Sequence, residues 1–131
     1  MTTELLLTRD PISETALRAG RTVGSGAGAV ITFVGVVRGQ EGETAIAGLE
    51  YTAFEPMVRH QFSLLFAEAG RRWPVDSIRL VHRLGWVPVG EPSLWLELVC
   101  PHRGEAFAAC QWLIDEMKRV VPIWKAPRAA K

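Results

Sequence analysis

Two short stretches carry the residues best suited to chemistry. The first is Pro101-His102-Arg103-Gly104, between a strand end and a helix start. The second is Lys118 with Pro122-Ile123-Trp124-Lys125. Backbone N–H groups at a helix N-terminus favour anions, and an arginine fork matches phosphate oxygens. Lys118 sits near the end of the helix that follows and by itself reads as a favourable C-terminal cation. Lys125 lies beyond Pro122, so it cannot continue that helix; the chain can turn there and return toward a sheet. Together these residues suggest a phosphate-seeking pocket with two candidate lysines and Trp124 as an apolar wall. From Lys118 onward there are five basic residues and no acid. That run reads as a solvated tail or as one wall of an anion site. Arg38, closing a long apolar run, either projects into a cleft or is an ordinary surface arginine.

Other reactive side chains read as structural. Cys100 continues the alternating face Leu94, Leu96, Leu98, and Cys110 lies on the apolar stripe of its helix. Free cysteine is commonly a small core residue. The histidines His60, His82 and His102 have no metal-ligand spacing, so neither a metal site nor a resident cofactor is expected. Gly20 to Gly28 holds four glycines but no P-loop lysine follows, and it reads as a flexible connector.

The elements that must position these residues follow from periodicity. Glu4 to Thr8 and Ala29 to Arg38 read as strands, the second β-branched and covered on both faces. Asp10-Pro11 predicts a short helix to about Arg18. Ile46 to Ala53 predicts a strand. A helix follows from Glu55-Pro56, with Val58, Phe62, Leu65, Phe66 and Ala69 as its stripe, ending near Gly70. Ser77 to Leu84 and Leu94 to Cys100 are strands separated by a turn-rich Gly85 to Pro92. The last helix runs from Gly104 or Glu105 to Arg119. This order, β-α-β-β-α-β-β-α, predicts a single α+β domain over residues 1–131 with a mostly antiparallel sheet.

Composition narrows the class. The 131 residues carry 15 basic and 14 acidic side chains, a net charge of +1, which opposes nucleic-acid binding. No apolar run reaches the ~20 residues of a membrane span. With two cysteines, no disulfide framework and no signal-peptide pattern, a cytoplasmic protein is expected.

Several segments resemble the large, catalytic subunits of molybdopterin synthase, the MoaE family, across nearly the whole chain. They are Gly28 to Arg38, Leu49-Glu50-Tyr51 with Met57, His82-Arg83-Leu84-Gly85, Gly90-Glu91, His102-Arg103 with Ala106-Phe107, and Lys118 to Lys125. The resemblance implies an α/β hammerhead-type fold and a sulfurtransferase acting in molybdenum cofactor biosynthesis. It implies a homodimer that forms a heterotetramer with a small ubiquitin-like sulfur-carrier subunit. The carrier's C-terminal Gly-Gly thiocarboxylate would deliver the dithiolene sulfurs to a cyclic pyranopterin monophosphate. Lys118 and Lys125 would be catalytic. Val36, Val37, Arg38, His102, Arg103, Ala126 and Pro127, with both lysines, would contact substrate. An ordinary lysine is protonated at neutral pH, so its default role is proton donor or partner of a developing oxyanion. The chain departs from the family at Pro127, where relatives often carry an acid. The alternative expectation is a non-catalytic module that binds a ubiquitin-like tail or a phosphorylated metabolite.

Overall fold

The computed structural model describes residues 1–130. The elements are β1 (Thr2–Thr8), α1 (Glu14–Ala19), β2 (Ala29–Val36), β3 (Gln40–Glu41), β4 (Thr44–Ala53) and α2 (Glu55–Arg72). They continue with β5 (Ser77–Arg83), β6 (Gly85–Pro88), β7 (Pro92–Cys100), α3 (Arg103–Val120) and β8 (Ile123–Ala129). The strands form two sheets. The first has the order β1-β5-β7-β2; the second has β3-β4-β6, with β8 also pairing along β4. Only β1 and β5 pair in parallel among the described strands, so the mostly antiparallel α+β expectation holds.

Helices α2 and α3 cover one face of the first sheet. Their apolar stripes, from Val58, Phe62 and Phe66 on α2 and Ala106, Ala109 and Leu113 on α3, meet Ile78, Leu80, Leu94, Leu96 and Leu98. This is the amphipathic logic that the periodicity predicts. A smaller core of Val37, Ile46, Leu49 and Val87 lies in the second sheet, with Tyr51 against it. Gly85, at φ 79, turns the chain from β5 of the first sheet into β6 of the second, a backbone conformation that favours glycine.

Five elements differ from the sequence expectation, among them β3, a two-residue strand too short to show a period. Helix α1 starts at Glu14, because Ser13 rather than Asp10 caps it: its hydroxyl accepts from the Ala16 N–H at 3.2 Å. Strand β2 stops at Val36, where a register shift on β7 ends the regular ladder, so Arg38 lies past the strand; β2 is also the edge strand of its sheet with no fully buried residue, so it is not covered on both faces as its apolar run suggests. Part of the segment read as turns is β6. The segment after Pro122 is a full strand, held by pairing with β4 from Ala53 to Ile46.

The face of β7 away from the helices is buried as well. Trp95, Glu97 and Val99 are all buried there. Glu97 accepts from Arg21 Nε at 2.6 Å and from Arg79 Nε at 3.0 Å, and the Arg79 guanidinium lies 4.9 Å from the Trp95 ring centre. The cluster ties the glycine-rich connector to the sheet. Removing its one carboxylate leaves two poorly hydrated guanidinium groups. Glu97→Ala is therefore expected to destabilise the fold by about 3 kcal/mol, read as a lower urea midpoint at unchanged slope.

Candidate active site

One large cavity lies where the two sheets diverge. Its volume is about 780 Å³. The end of β2, the C-terminal end of α3 and the strands β4 and β8 wall it, and His82 at the end of β5 contributes to its floor. Each charged side chain has a local reason to be there. Met117 is buried in the main core, so the next residue, Lys118, is carried to the helix end and stays exposed. Pro122 stops α3, with Val121 already extended at ψ 124. The chain then returns as β8, and Lys125 falls opposite Tyr51 of β4. Val37 is clamped by two backbone bonds, donating to Glu91 O at 3.1 Å and accepting from Gly90 N at 2.9 Å. That clamp fixes the direction in which Arg38 leaves the strand.

Arg38, Lys118 and Lys125 therefore line one cavity, and Glu41 is the only carboxylate among its described lining residues. Glu41 comes from the short β3–β4 hairpin, and its Oε1 lies 3.5 Å from Lys125 Nζ. With three cations to one anion, the cavity favours anionic ligands. An exposed pair of this kind contributes little to stability, so Glu41 leaves Lys125 free to change partners.

Of the residues singled out from sequence, Val36, Val37, Arg38, Lys118 and Lys125 come together here. His102, Arg103, Ala126 and Pro127 do not. Arg103 opens α3 and Lys118 closes it, so fifteen residues of helix, roughly 22 Å at 1.5 Å each, separate them. The expectation that Arg103 sits beside Lys118 fails within one chain for that reason. Ala126 pairs with Glu50 and alternation turns it away from the Lys125 face; Pro127 shares that face, opposite Leu49, but does not line the cavity. Four polar residues of the cavity were given no role from sequence: Glu41, Tyr51, His82 and Ser93. Their only signal was that Tyr51 and His82 fall in segments resembling the family.

Both cysteines are buried away from the cavity, as expected. Burial raises both thiols, and the charges of Glu105 and Asp76 add to it at Cys100, which is pushed up to about 11. A thiol-specific reagent at pH 8 is expected to leave both unmodified in native protein and to label both in denaturant. Cys100→Ala and Cys110→Ala should keep most activity at a cost of about 1 kcal/mol or more in packing. Rapid native labelling of Cys100 would contradict this. Among the described residues no His, Cys, Asp or Glu group has the arrangement of a metal site.

The family described as MoaE protein matches residues 7–120. The chain belongs to the MoaE family. A molybdopterin synthase catalytic subunit from Nostoc sp. is 42% identical over 99 residues, covering 75% of this chain and 60% of that relative. The chain thus spans less than two thirds of the length of this MoaE-family relative. The crystal structure of molybdopterin synthase from Staphylococcus aureus superposes with a TM-score of 0.85 at 29% identity, covering 98% of this chain and 91% of that one. A protein–protein complex of subunits 1 and 2 of molybdopterin-converting factor from Helicobacter pylori shares the MoaE fold, with a TM-score of 0.73 at 22% identity over 98% of this chain and 90% of that chain.

Proposed function

We propose that the chain is the catalytic subunit of a molybdopterin synthase. It converts a cyclic pyranopterin monophosphate into the dithiolene-bearing pterin, using sulfur from the C-terminal thiocarboxylate of a small ubiquitin-like carrier. The observation that supports this most is the meeting of Arg38, Lys118 and Lys125 in one cavity of a MoaE-family chain. Both reactants are anions, and they repel one another as they approach. Three cations around one cavity offset that repulsion and hold the reacting atoms together. In this reading Arg38 takes substrate phosphate, Lys118 faces the reacting carbon and the incoming thiocarboxylate, and Lys125 exchanges Glu41 for an anionic group of substrate or carrier. The Helicobacter pylori neighbour, solved as a complex of two subunits, supports a protein partner.

His102 and Arg103 belong to the same proposal in a different place. Both are exposed, and both lie at the far end of α3 from Lys118. In the homodimer expected of the family they contact the phosphate bound in the second copy's cavity. A cytoplasmic location completes the reading; no described helix is long and apolar enough to cross a membrane.

The test mixes purified chain with thiocarboxylated carrier and pterin precursor and follows dithiolene formation. Product is expected. Tight carrier binding without product would instead identify a binding module. Sedimentation at micromolar concentration should give a dimer, and a monomer that persists with carrier present would remove the shared-cavity arrangement.

A further inference from the structure

His82 is the one buried titratable side chain among the described lining residues of the cavity, and its chemistry is unused above. It continues the core-facing alternation Ile78, Leu80 along β5, yet it stands at the strand end, where the core gives way to the cavity. Its Nδ1 lies 2.8 Å from the Arg83 carbonyl oxygen. A carbonyl only accepts, so Nδ1 carries the proton and donates. The other nitrogen, Nε2, is then a lone-pair acceptor in the neutral ring. Among the described residues no protein group hydrogen-bonds Nε2, and it is not among the sealed-off polar atoms that lack a partner, so it meets the open cavity.

The ring is held as well as tethered. Tyr51 packs edge-on against it with ring centres 5.2 Å apart. Tyr51 is in turn directly opposite Lys125 across β4 and β8, which brings the imidazole within two side chains of the proposed reacting centre. Burial holds the imidazole below its ordinary range, so the neutral form persists at neutral pH. The charged groups around the cavity are Arg38, Glu41, Lys118 and Lys125. Three of these are cations and disfavour a further positive charge nearby, and Glu41 is already engaged by Lys125.

The proposed reaction needs such a base. When the carrier's thiocarboxylate sulfur bonds to a pterin carbon, the carbon–oxygen bond from that carbon to the cyclic phosphate breaks, the oxygen departs on the ring-opened phosphate, and carrier and pterin are joined as acyl–sulfur–carbon. Sulfur stays with the pterin only if the acyl–sulfur bond then breaks. Water is the co-reactant: its oxygen bonds to the acyl carbon, the C–S bond breaks, and sulfur leaves as a thiolate. The carrier leaves as a carboxylate. No oxidation or reduction is involved. We propose that His82 is the general base of this step, its Nε2 taking a proton from the attacking water and later releasing it to solvent or to the thiolate. This rests on the synthase reading of the site. Lys118 and Lys125, as cations, are suited to the departing thiolate rather than to the water.

His82→Asn separates this role from packing, because its amide N–H reproduces the donation to Arg83 O but offers no imidazole base. In single turnover with thiocarboxylated carrier and pterin precursor, His82→Asn should form the covalent carrier–pterin adduct at near-normal rate. Release of free carrier should slow by at least ~100-fold, so that the adduct accumulates and is seen by intact mass spectrometry. Added hydroxylamine, which attacks the acyl carbon without a protein base, should discharge it. A folded variant that turns over normally, or that forms no adduct, overturns the proposal for His82 alone. Wild-type chain that forms neither adduct nor dithiolene overturns the synthase reading and this role together. Nitrogen-15 spectra of the imidazoles of wild-type protein give a check independent of any variant. A neutral His82 ring with its proton on Nδ1 at pH 7 is expected, and a charged ring or the opposite tautomer overturns the assignment.

Discussion

Lys118→Ala is expected to fold as the parent does, to bind the carrier, and to lose at least ~100-fold in single-turnover rate, the scale of one positioned acid–base or electrostatic group. The fold should tolerate the change because the side chain is exposed at the end of α3, while Met117 beside it holds the helix in the core. As a helix-end cation alone, Lys118 would contribute no more than about 1 kcal/mol. The two roles therefore predict different experiments. A helix-end cation gives a small shift in melting temperature and normal turnover. A catalytic lysine gives normal melting and slow turnover at saturating substrate. Lys118→Arg should not restore the rate fully, because the planar guanidinium neither occupies the same point nor yields a proton. Arg38→Ala should differ in kind, raising the apparent Michaelis constant for the phosphorylated pterin more than it lowers turnover. Near-normal rates for Lys118→Ala would transfer support to the non-catalytic reading.

The parts of this site that were legible from sequence are those with a long, one-sided pattern. The α3 stripe and the Leu94 to Cys100 alternation each repeat often enough to fix an element and its buried face, whereas the β2 run marks the strand but not its cover. Strand β6 was not legible, because four residues between Gly85 and Pro88 carry turn chemistry and no period. Strand β8 was hidden by Pro127 and by charges at 125 and 128; its pairing with β4 makes it a strand, and an outer position tolerates the proline. His82 was hidden differently. On a buried alternation an imidazole reads as one more core residue, and only the position of the cavity separates it from Ile78 and Leu80. Glu97 was obscured in the same way, since its partners Arg21 and Arg79 are 76 and 18 positions away. The two lysines were found as a pair by motif, but their common cavity depends on the turn at Pro122 and the register of β8, which no local pattern specifies.

The second large effect concerns the distance between Arg103 and Lys118. Arg103→Ala and Lys118→Ala should each be severely impaired as purified homodimers. Mixed, unfolded and refolded together in equal amounts, they should regain about a quarter of wild-type activity per cavity, the statistical result for a two-fold dimer whose sites each use Lys118 of one copy and Arg103 of the other. Half of the dimers then contain one chain of each kind. In each of those, one cavity carries both substitutions and the other carries neither. If one chain supplied both residues to its own cavity, every cavity in the mixture would carry one substitution and activity would stay at the level of the separate variants. The helix geometry favours the first outcome, since α3 holds the two side chains at its opposite ends and a straight helix cannot bring them together. A mixture that regains nothing, although native mass spectrometry shows mixed dimers, would show that Arg103 of the second copy does not serve the cavity. Arg38, which lines the cavity of its own chain, would then be left as the principal phosphate ligand.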